Sequence, residues 1–119
     1  MRRQSFSKEK RLKSNTQFKY VIDYGCCTRN EMLTLYAAKN EYGFSRLGVS
    51  IGRSYGNAVD RNRFKRLIRE VFRLNQYQIP NGYDYLIIAK KKKLDSAFEQ
   101  VNRSFLSLVS LVQKKLRQD

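Results

Sequence analysis

Residues 57–73, NAVDRNRFKRLIREVFR, predict an amphipathic helix. Asn57 can cap its first turn, and Asp60, three residues later, lies near the positive end of the helix dipole. Apolar residues then recur at three- and four-residue spacing, the pattern of a side that faces a protein core. These apolar residues are Phe64, Leu67, Ile68 and Val71.

The opposite side of this helix is basic. Successive residues of a helix are rotated by ~100°, and this places five polar residues within an arc of about 100° on that side. Arg61 lies at one edge of the arc and Arg63 at the other. Glu70 is the only acid after the first turn, whereas a solvated helix face usually mixes both signs for pairing between residues four apart. The residues in the arc are Asn62, Lys65, Arg66, Arg69 and Arg73.

The whole chain carries a similar excess of positive charge. Its 119 residues contain 25 Lys and Arg against 10 Asp and Glu, a formal net charge of +15. So large a surplus repels itself in a compact fold, and a polyanionic partner relieves that repulsion. Nucleic acid is the favoured partner, and no apolar run approaches the ~18 residues of a membrane span. We predict a single RNA-binding domain over 1–119, with 1–13 as a basic N-terminal arm.

The N-terminal arm does not have the form of a secretory signal, because no apolar segment follows its basic residues. The only cysteines, Cys26 and Cys27, are adjacent and have no other cysteine to pair with. This usage indicates a reducing, cytoplasmic location.

A first helix is predicted before the strands. Ser14 and Gln17 have the spacing of a capping box, and Gly25 is the predicted stop. The apolar residues on one face of this helix are Phe18, Val21 and Ile22.

From Cys27 to Ile51 the pattern has the period of strands. Leu33 and Leu35 alternate with Thr34 and Tyr36, so the leucines are the better candidates for the core and Tyr36 belongs to the other face. Further on, Leu47, Val49 and Ile51 alternate with Gly48, Ser50 and Gly52. That nearly bare face fits close packing against a helix or a shallow floor that another molecule can approach, and the pattern alone leaves both open.

The C-terminal part of the sequence predicts a strand over 83–90, and the lysine run 90–93 is interpreted as a solvated loop. A last helix is predicted from about Asp95, with Ser96 and Glu99 as its capping box. The order of helix, two or three strands, helix, strand, helix predicts an α+β domain with three helices against one sheet. The expected core positions of the last helix are Phe98, Val101, Phe105, Leu108, Val109, Val112 and Leu116.

The residue types argue against catalysis by the chain alone. Histidine is absent, and the ten acids are scattered singly, so a general base and a carboxylate-bound metal both lack candidates. Two adjacent cysteines cannot form a four-ligand zinc site, and there is no phosphate-binding P-loop or GxGxxG pattern. Arginines suit contacts with phosphate, and the eight Tyr and seven Phe include candidates for stacking on unpaired bases.

The segment 46–50, RLGVS, and the segment 56–70, GNAVDRNRFKRLIRE, resemble the signature of the bacterial ribonuclease P protein family, in which an Arg-Asn-Arg core opens a basic helix after a Gly-Asn-Ala-Val turn. Weaker agreement extends from Arg11-Leu12 and Phe18 through Tyr36 to 84–89, DYLIIA. The likeness covers about nine-tenths of the chain.

This resemblance implies an αβββαβα two-layer sandwich with a four-stranded sheet and a left-handed βαβ crossover, against the usual right-handed rule. It also implies an RNA catalyst that removes the 5′ leader of precursor tRNA with magnesium bound mainly by that RNA, while the protein alone is inactive and has no catalytic residue.

The resemblance assigns two sets of binding residues. A cleft holding the leader includes Phe18, Tyr36 and Arg53, and it favours the shallow-floor alternative for the bare strand face. Many family members carry two adjacent basic residues where this chain has Arg53-Ser54, so the contribution of this corner to leader affinity is open. The residues facing the catalytic RNA are Arg61, Asn62, Arg63, Lys65, Arg66 and Arg69.

Two other classes of function compete with this one. A ribosomal or general structured-RNA-binding protein would have the same charge but no substrate cleft. A peripheral membrane protein would use a basic amphipathic surface, which conflicts with the expected core role of the apolar side of 57–73.

Overall fold

The secondary structure follows the predicted order, with three strands in the first block. The computed structural model describes residues 10–90 and 98–117. The elements are α1 (Asn15–Tyr24), β1 (Cys26–Arg29), β2 (Leu33–Lys39), β3 (Arg46–Ser50), α2 (Ala58–Asn75), β4 (Tyr83–Ala89) and α3 (Phe98–Arg117), with a short 3-10 turn (Arg53–Tyr55) before α2. Positions 1–9 of the predicted arm, lysines 91–93, the predicted helix start at Asp95 and the cap residue Ser96 lie outside the described residues.

Both predicted boundaries of α1 are confirmed. The Ser14 side chain accepts the Gln17 backbone N–H at 3.1 Å, and the Gln17 side chain accepts the Ser14 N–H at 3.2 Å, which closes the capping box. Gly25 ends the helix and donates its N–H to the Val21 carbonyl oxygen at 2.8 Å. A Cβ at Gly25 would lie 2.2 Å from that oxygen, so only glycine fits there.

The four strands form one mixed sheet in the order β1-β2-β4-β3. β4 is antiparallel to β2 and parallel to β3, and α2 provides the crossover between β3 and β4. The predicted α+β class with three helices against one sheet is confirmed, and the hand of the crossover stays a prediction. α2 and α3 cover one face of the sheet, while α1 covers part of the other.

The main core lies between the sheet and the α2–α3 layer. Leu33 and Leu35 point into it and are fully buried, as their alternation with Thr34 and Tyr36 predicted. The predicted apolar sides of both helices supply the rest. From α2 these are Phe64, Ile68 and Val71, with Leu67 partly buried; from α3 they are Val101, Phe105, Leu108, Val109 and Val112, with Phe98 and Leu116 partly buried.

A smaller cluster seats α1 on the other face of the sheet. Val21 is fully buried there and Phe18 is partly buried. A Cβ at Gly48 of β3 would lie 2.8 Å from the Phe18 ring and 3.0 Å from the Leu12 Cβ. Close packing is therefore the reason for the missing side chain at Gly48, and the shallow-floor interpretation is wrong at this position. Ile22 is 41% exposed and does not join the core that its spacing predicted.

An ion pair is buried at the end of the sheet beside α1. Arg46 of β3 donates to both carboxylate oxygens of Asp84 of β4, at 2.7 and 2.6 Å, and Asn40 donates to the same carboxylate at 2.8 Å. The Arg46 guanidinium also lies 4.0 Å from the centre of the Tyr42 ring. Because Asp84 stabilises its charged form, the pKa of Arg46 is raised. The pair joins the parallel strands β3 and β4 through their side chains.

Candidate nucleic-acid interface

The start of α2 is fixed by a reciprocal cap, as predicted. The Asn57 side chain accepts the Asp60 N–H at 2.9 Å, and the Asp60 carboxylate accepts the Asn57 N–H at 3.3 Å. Just before it, Tyr55 is buried and its ring lies 5.2 Å from that of Phe64. Together, the cap and the contact between Tyr55 and Phe64 fix the orientation of α2, and with it the direction of its basic side.

The six predicted residues of α2 lie on its surface and along its edges. Asn62, Arg63 and Arg66 are exposed. Arg61, Lys65 and Arg69 are half-buried. Arg61 donates to the Gly56 carbonyl oxygen at 3.4 Å, which keeps it beside the first turn.

Arg73, which the sequence also placed on the basic side, pairs with Glu70 at 2.5 Å. The hydrogen bond from Arg73 lowers the pKa of Glu70, so the pair is fully ionised at neutral pH. The unbalanced positive charge of α2 therefore lies toward its N-terminal half.

The structure adds two basic residues to this surface that the sequence did not single out. The Leu12 N–H donates to the Leu47 carbonyl oxygen at 2.8 Å, so the segment around Arg11 runs beside β3. A groove of about 420 Å³ lies between this segment and α2. Its lining residues are Arg11, Leu12, Lys13, Leu47, Val49, Lys65 and Arg69.

Among the residues that the structure describes, four cations and no acid line this β3-edge groove. Burial and the nearby positive charge of Arg11 lower the pKa of Arg69, although it stays protonated. Positive charges held this close together repel one another, so an anion bound between them is favoured. Guanidinium groups are well suited to binding phosphate. The sequence signal for Arg11 and Lys13 was only the overall basic character of the N-terminal arm.

Part of the sheet face that carries α1 stays open. Directly paired residues point to the same side of an antiparallel sheet, so Tyr36 shares this side with Cys27 and Leu86. The next row across the strands is not buried and consists of Arg29, Thr34, Ile88 and Ser50. We refer to Tyr36 together with the four residues of this row as the cleft floor.

Phe18 and Ile22 are four residues apart and lie on one side of α1. Phe18 and Tyr36 are both partly buried against the same small cluster on this sheet face, so these two predicted leader-cleft residues lie on one side of the molecule. The pKa of the Tyr36 phenol is raised by its contact with the Cys27 thiol on the neighbouring strand. Arg53 is exposed in the 3-10 turn, three residues beyond Ser50 of the cleft floor.

Within 10–90 and 98–117, no helix combines the length and apolar character that crossing a bilayer requires. The same residues bring together no group of three or more acidic, cysteine or histidine side chains that would fit a metal ion.

Comparison with known proteins gives one family. The model of the family described as Ribonuclease P matches residues 6–113. The ribonuclease P protein component of Clostridioides difficile is 37% identical over 105 residues, covering 87% of this chain and 92% of that protein. The corresponding component of Thermotoga maritima is 37% identical over 99 residues, covering 83% and 84%.

Solved structures agree with the sequence relatives. The ribonuclease P protein of Staphylococcus aureus is 31% identical with a TM-score of 0.78, covering 86% of this chain and 94% of that one. The ribonuclease P protein of Thermotoga maritima is 35% identical with a TM-score of 0.76, covering 83% and 94%. With a family match over most of its length and the same fold, this chain belongs to the ribonuclease P protein family.

Proposed function

We propose that the chain is the RNA-binding protein subunit of a cytoplasmic ribonuclease P in which a catalytic RNA removes the 5′ leader of precursor tRNA. The observation that carries the proposal is the separation of two surfaces on one sheet. The basic side of α2 points away from the sheet, while the cleft floor lies on the opposite sheet face. One molecule can thus contact two RNA segments at once.

In this proposal α2 binds the catalytic RNA through Arg61, Asn62, Arg63, Lys65, Arg66 and Arg69, and Arg11 and Lys13 extend that contact at the β3-edge groove. The leader lies over the cleft floor, where Tyr36 stacks on an unpaired base and Phe18 forms the wall. Arg53 lies beyond the β3 end of the floor. Tyr36 and Arg53 thus orient the substrate, and the protein moves no proton.

We assign magnesium mainly to the RNA, as the family resemblance implies. A general structured-RNA-binding role is the alternative. It gives no function to the open cleft floor, since such a protein needs no substrate cleft. Binding to a membrane surface would need the apolar side of α2, which is buried in the core.

The first prediction is that the purified protein alone cleaves no precursor tRNA, since the sequence has no histidine and the described side chains form no metal-binding group. With the catalytic RNA, it should allow cleavage at lower magnesium and salt than the RNA alone requires, because it neutralises phosphates. Cleavage is measured by the release of the labelled leader. A chain that leaves the salt and magnesium requirement of the RNA unchanged would contradict the proposal.

The second prediction concerns α2. If Arg66 and Arg69 each contact one phosphate, alanine at either position should weaken binding of the catalytic RNA and reduce the slope of log affinity against log salt by about one. Binding is measured by filter retention over a series of salt concentrations. Arg103→Ala, at an exposed position on α3, is the control and should keep the slope. Slopes equal to that of the control would place the catalytic RNA elsewhere on the protein.

A further inference from the structure

A second basic groove lies at the β1 edge of the sheet, opposite the edge that carries the β3-edge groove. It has a volume of about 520 Å³ and is lined by Cys27, Thr28, Arg29, Leu111, Lys114 and Lys115. We refer to it as the β1-edge groove. Within the described part of the chain, three cations and no acid line it. Arg29, Lys114 and Lys115 are all exposed to solvent.

Packing between β1 and α3 fixes this groove. The Thr28 hydroxyl donates to the Leu108 carbonyl oxygen at 3.2 Å, and the Lys115 ammonium donates to the Cys27 carbonyl oxygen at 2.5 Å. The last turns of α3 are thereby held beside the edge strand. Lys114 takes part in neither hydrogen bond, and its side chain is exposed to solvent.

The register of the sheet connects this groove with the cleft floor. Arg29 is paired with Thr34, Thr34 with Ile88, and Ile88 lies beside Ser50. The row therefore runs straight across all four strands from Ser50 to Arg29. Arg29 is both the last residue of the floor and a lining residue of the β1-edge groove.

A single strand of RNA that crosses the floor along this row leaves the sheet at Arg29. Neighbouring strands lie about 4.8 Å apart, so the crossing is about 14 Å wide. At ~3.4 Å per stacked nucleotide, roughly four nucleotides span it. The nucleotides that follow come level with Lys114 and Lys115, whose positive charges suit backbone phosphates.

We propose that the β1-edge groove binds the backbone phosphates of the leader nucleotides upstream of those on the cleft floor. The inference rests on the proposed function, because the leader is the occupant of the floor. It adds a second leader contact in which charge, and not base stacking, provides the affinity. The contact is accordingly independent of leader sequence and sensitive to salt.

The test compares precursor tRNAs whose leaders have about four or about eight nucleotides, at the ~3.4 Å spacing used above. Affinity is measured for the holoenzyme, reconstituted with saturating catalytic RNA, at fixed salt. Lys114→Glu should leave the shorter leader bound as before and weaken the longer one by about 1.5- to fivefold, the range of an exposed charge contact. The difference should vanish at high salt.

Arg103→Glu makes the same change of charge on the same helix. It lies 11 residues before Lys114, about 16 Å along the axis, which exceeds a Debye length of ~8 Å at physiological salt. This control should bind both leaders as the unchanged protein does.

Three results would count against parts of this account. If Lys114→Glu and Arg103→Glu bind the longer leader equally well, the groove does not bind the leader. The inference about the groove is then wrong, while the proposed function is unaffected. If Lys114→Glu also weakens leaderless tRNA, the groove contacts another RNA segment and the inference again fails. If the unchanged holoenzyme binds leader-bearing and leaderless tRNA equally, the proposed function itself is wrong.

Discussion

Replacing Asp84 by alanine should lower the free energy of unfolding by about 3–5 kcal/mol, the usual cost of removing one partner from a buried ion pair. The side chains of Arg46 and Asp84 are only 11% and 4% exposed. Without the carboxylate, the Arg46 guanidinium loses two hydrogen bonds and keeps its charge inside the protein. Asn40 loses an acceptor as well.

Unfolding by urea, followed by circular dichroism, measures this effect. Asp23→Ala is the matched control, since Asp23 also pairs with a cation, Lys19, but at the surface with both side chains largely in water. That change should alter stability little. Replacing Arg46 by Met and Asp84 by Leu together should cost less than Asp84→Ala, because no uncompensated charge remains. A midpoint for Asp84→Ala equal to that of Asp23→Ala would show that the pair does not stabilise the fold.

Replacing Tyr36 by alanine should lower the ratio of leader-bearing to leaderless tRNA affinity by about fivefold to 150-fold, because stacking of one base on an aromatic ring contributes ~1–3 kcal/mol. Tyr36→Phe keeps the ring and should keep most of the ratio. Binding of the catalytic RNA should stay nearly unchanged in both. Arg61→Ala and Arg63→Ala should do the reverse and impair assembly with the catalytic RNA first.

The ratio is measured on the holoenzyme at fixed salt and saturating catalytic RNA. Tyr24→Ala is the control, because Tyr24 is 75% exposed and lies on the side of α1 away from Phe18. It removes the same ring outside the cleft and should keep the ratio. If Tyr36→Ala behaves like Tyr24→Ala while its unfolding midpoint shows an intact fold, leader binding by the cleft floor is excluded.

Features that depend on neighbours in the chain could be predicted from the sequence. The caps at Ser14 and Asn57 each use a residue three positions ahead, and the stop at Gly25 uses the preceding turn. The faces of β2 and α2 follow from periodicity, which is why Leu35, Tyr36 and the arginines of α2 were placed correctly.

Features that depend on distant residues could not be predicted in this way. Arg46 and Asp84 are 38 positions apart, and their pairing depends on the strand order β1-β2-β4-β3. Arg11 approaches Arg69 only because the N-terminal segment runs beside β3. The local pattern at Gly48 fits both an open floor and close packing, and it is Leu12 and Phe18, distant in sequence, that fill the space above it.

The place of β4 in the sheet bears on how the chain folds while it is synthesised. β4 is the partner of both β2 and β3, yet it begins at Tyr83, after more than two-thirds of the chain. Until that strand leaves the ribosome, β1 and β2 can form a hairpin, while β3 has no strand to pair with among the described elements. Ribosomes add ~5–20 residues per second, so the end of α2 at Asn75 is made about one to three seconds before the end of β4 at Ala89. The arginines of α2 are thus synthesised at the ribosome, which is itself rich in RNA, before the sheet behind the helix is complete. The four-stranded sheet can form only once β4 has been made.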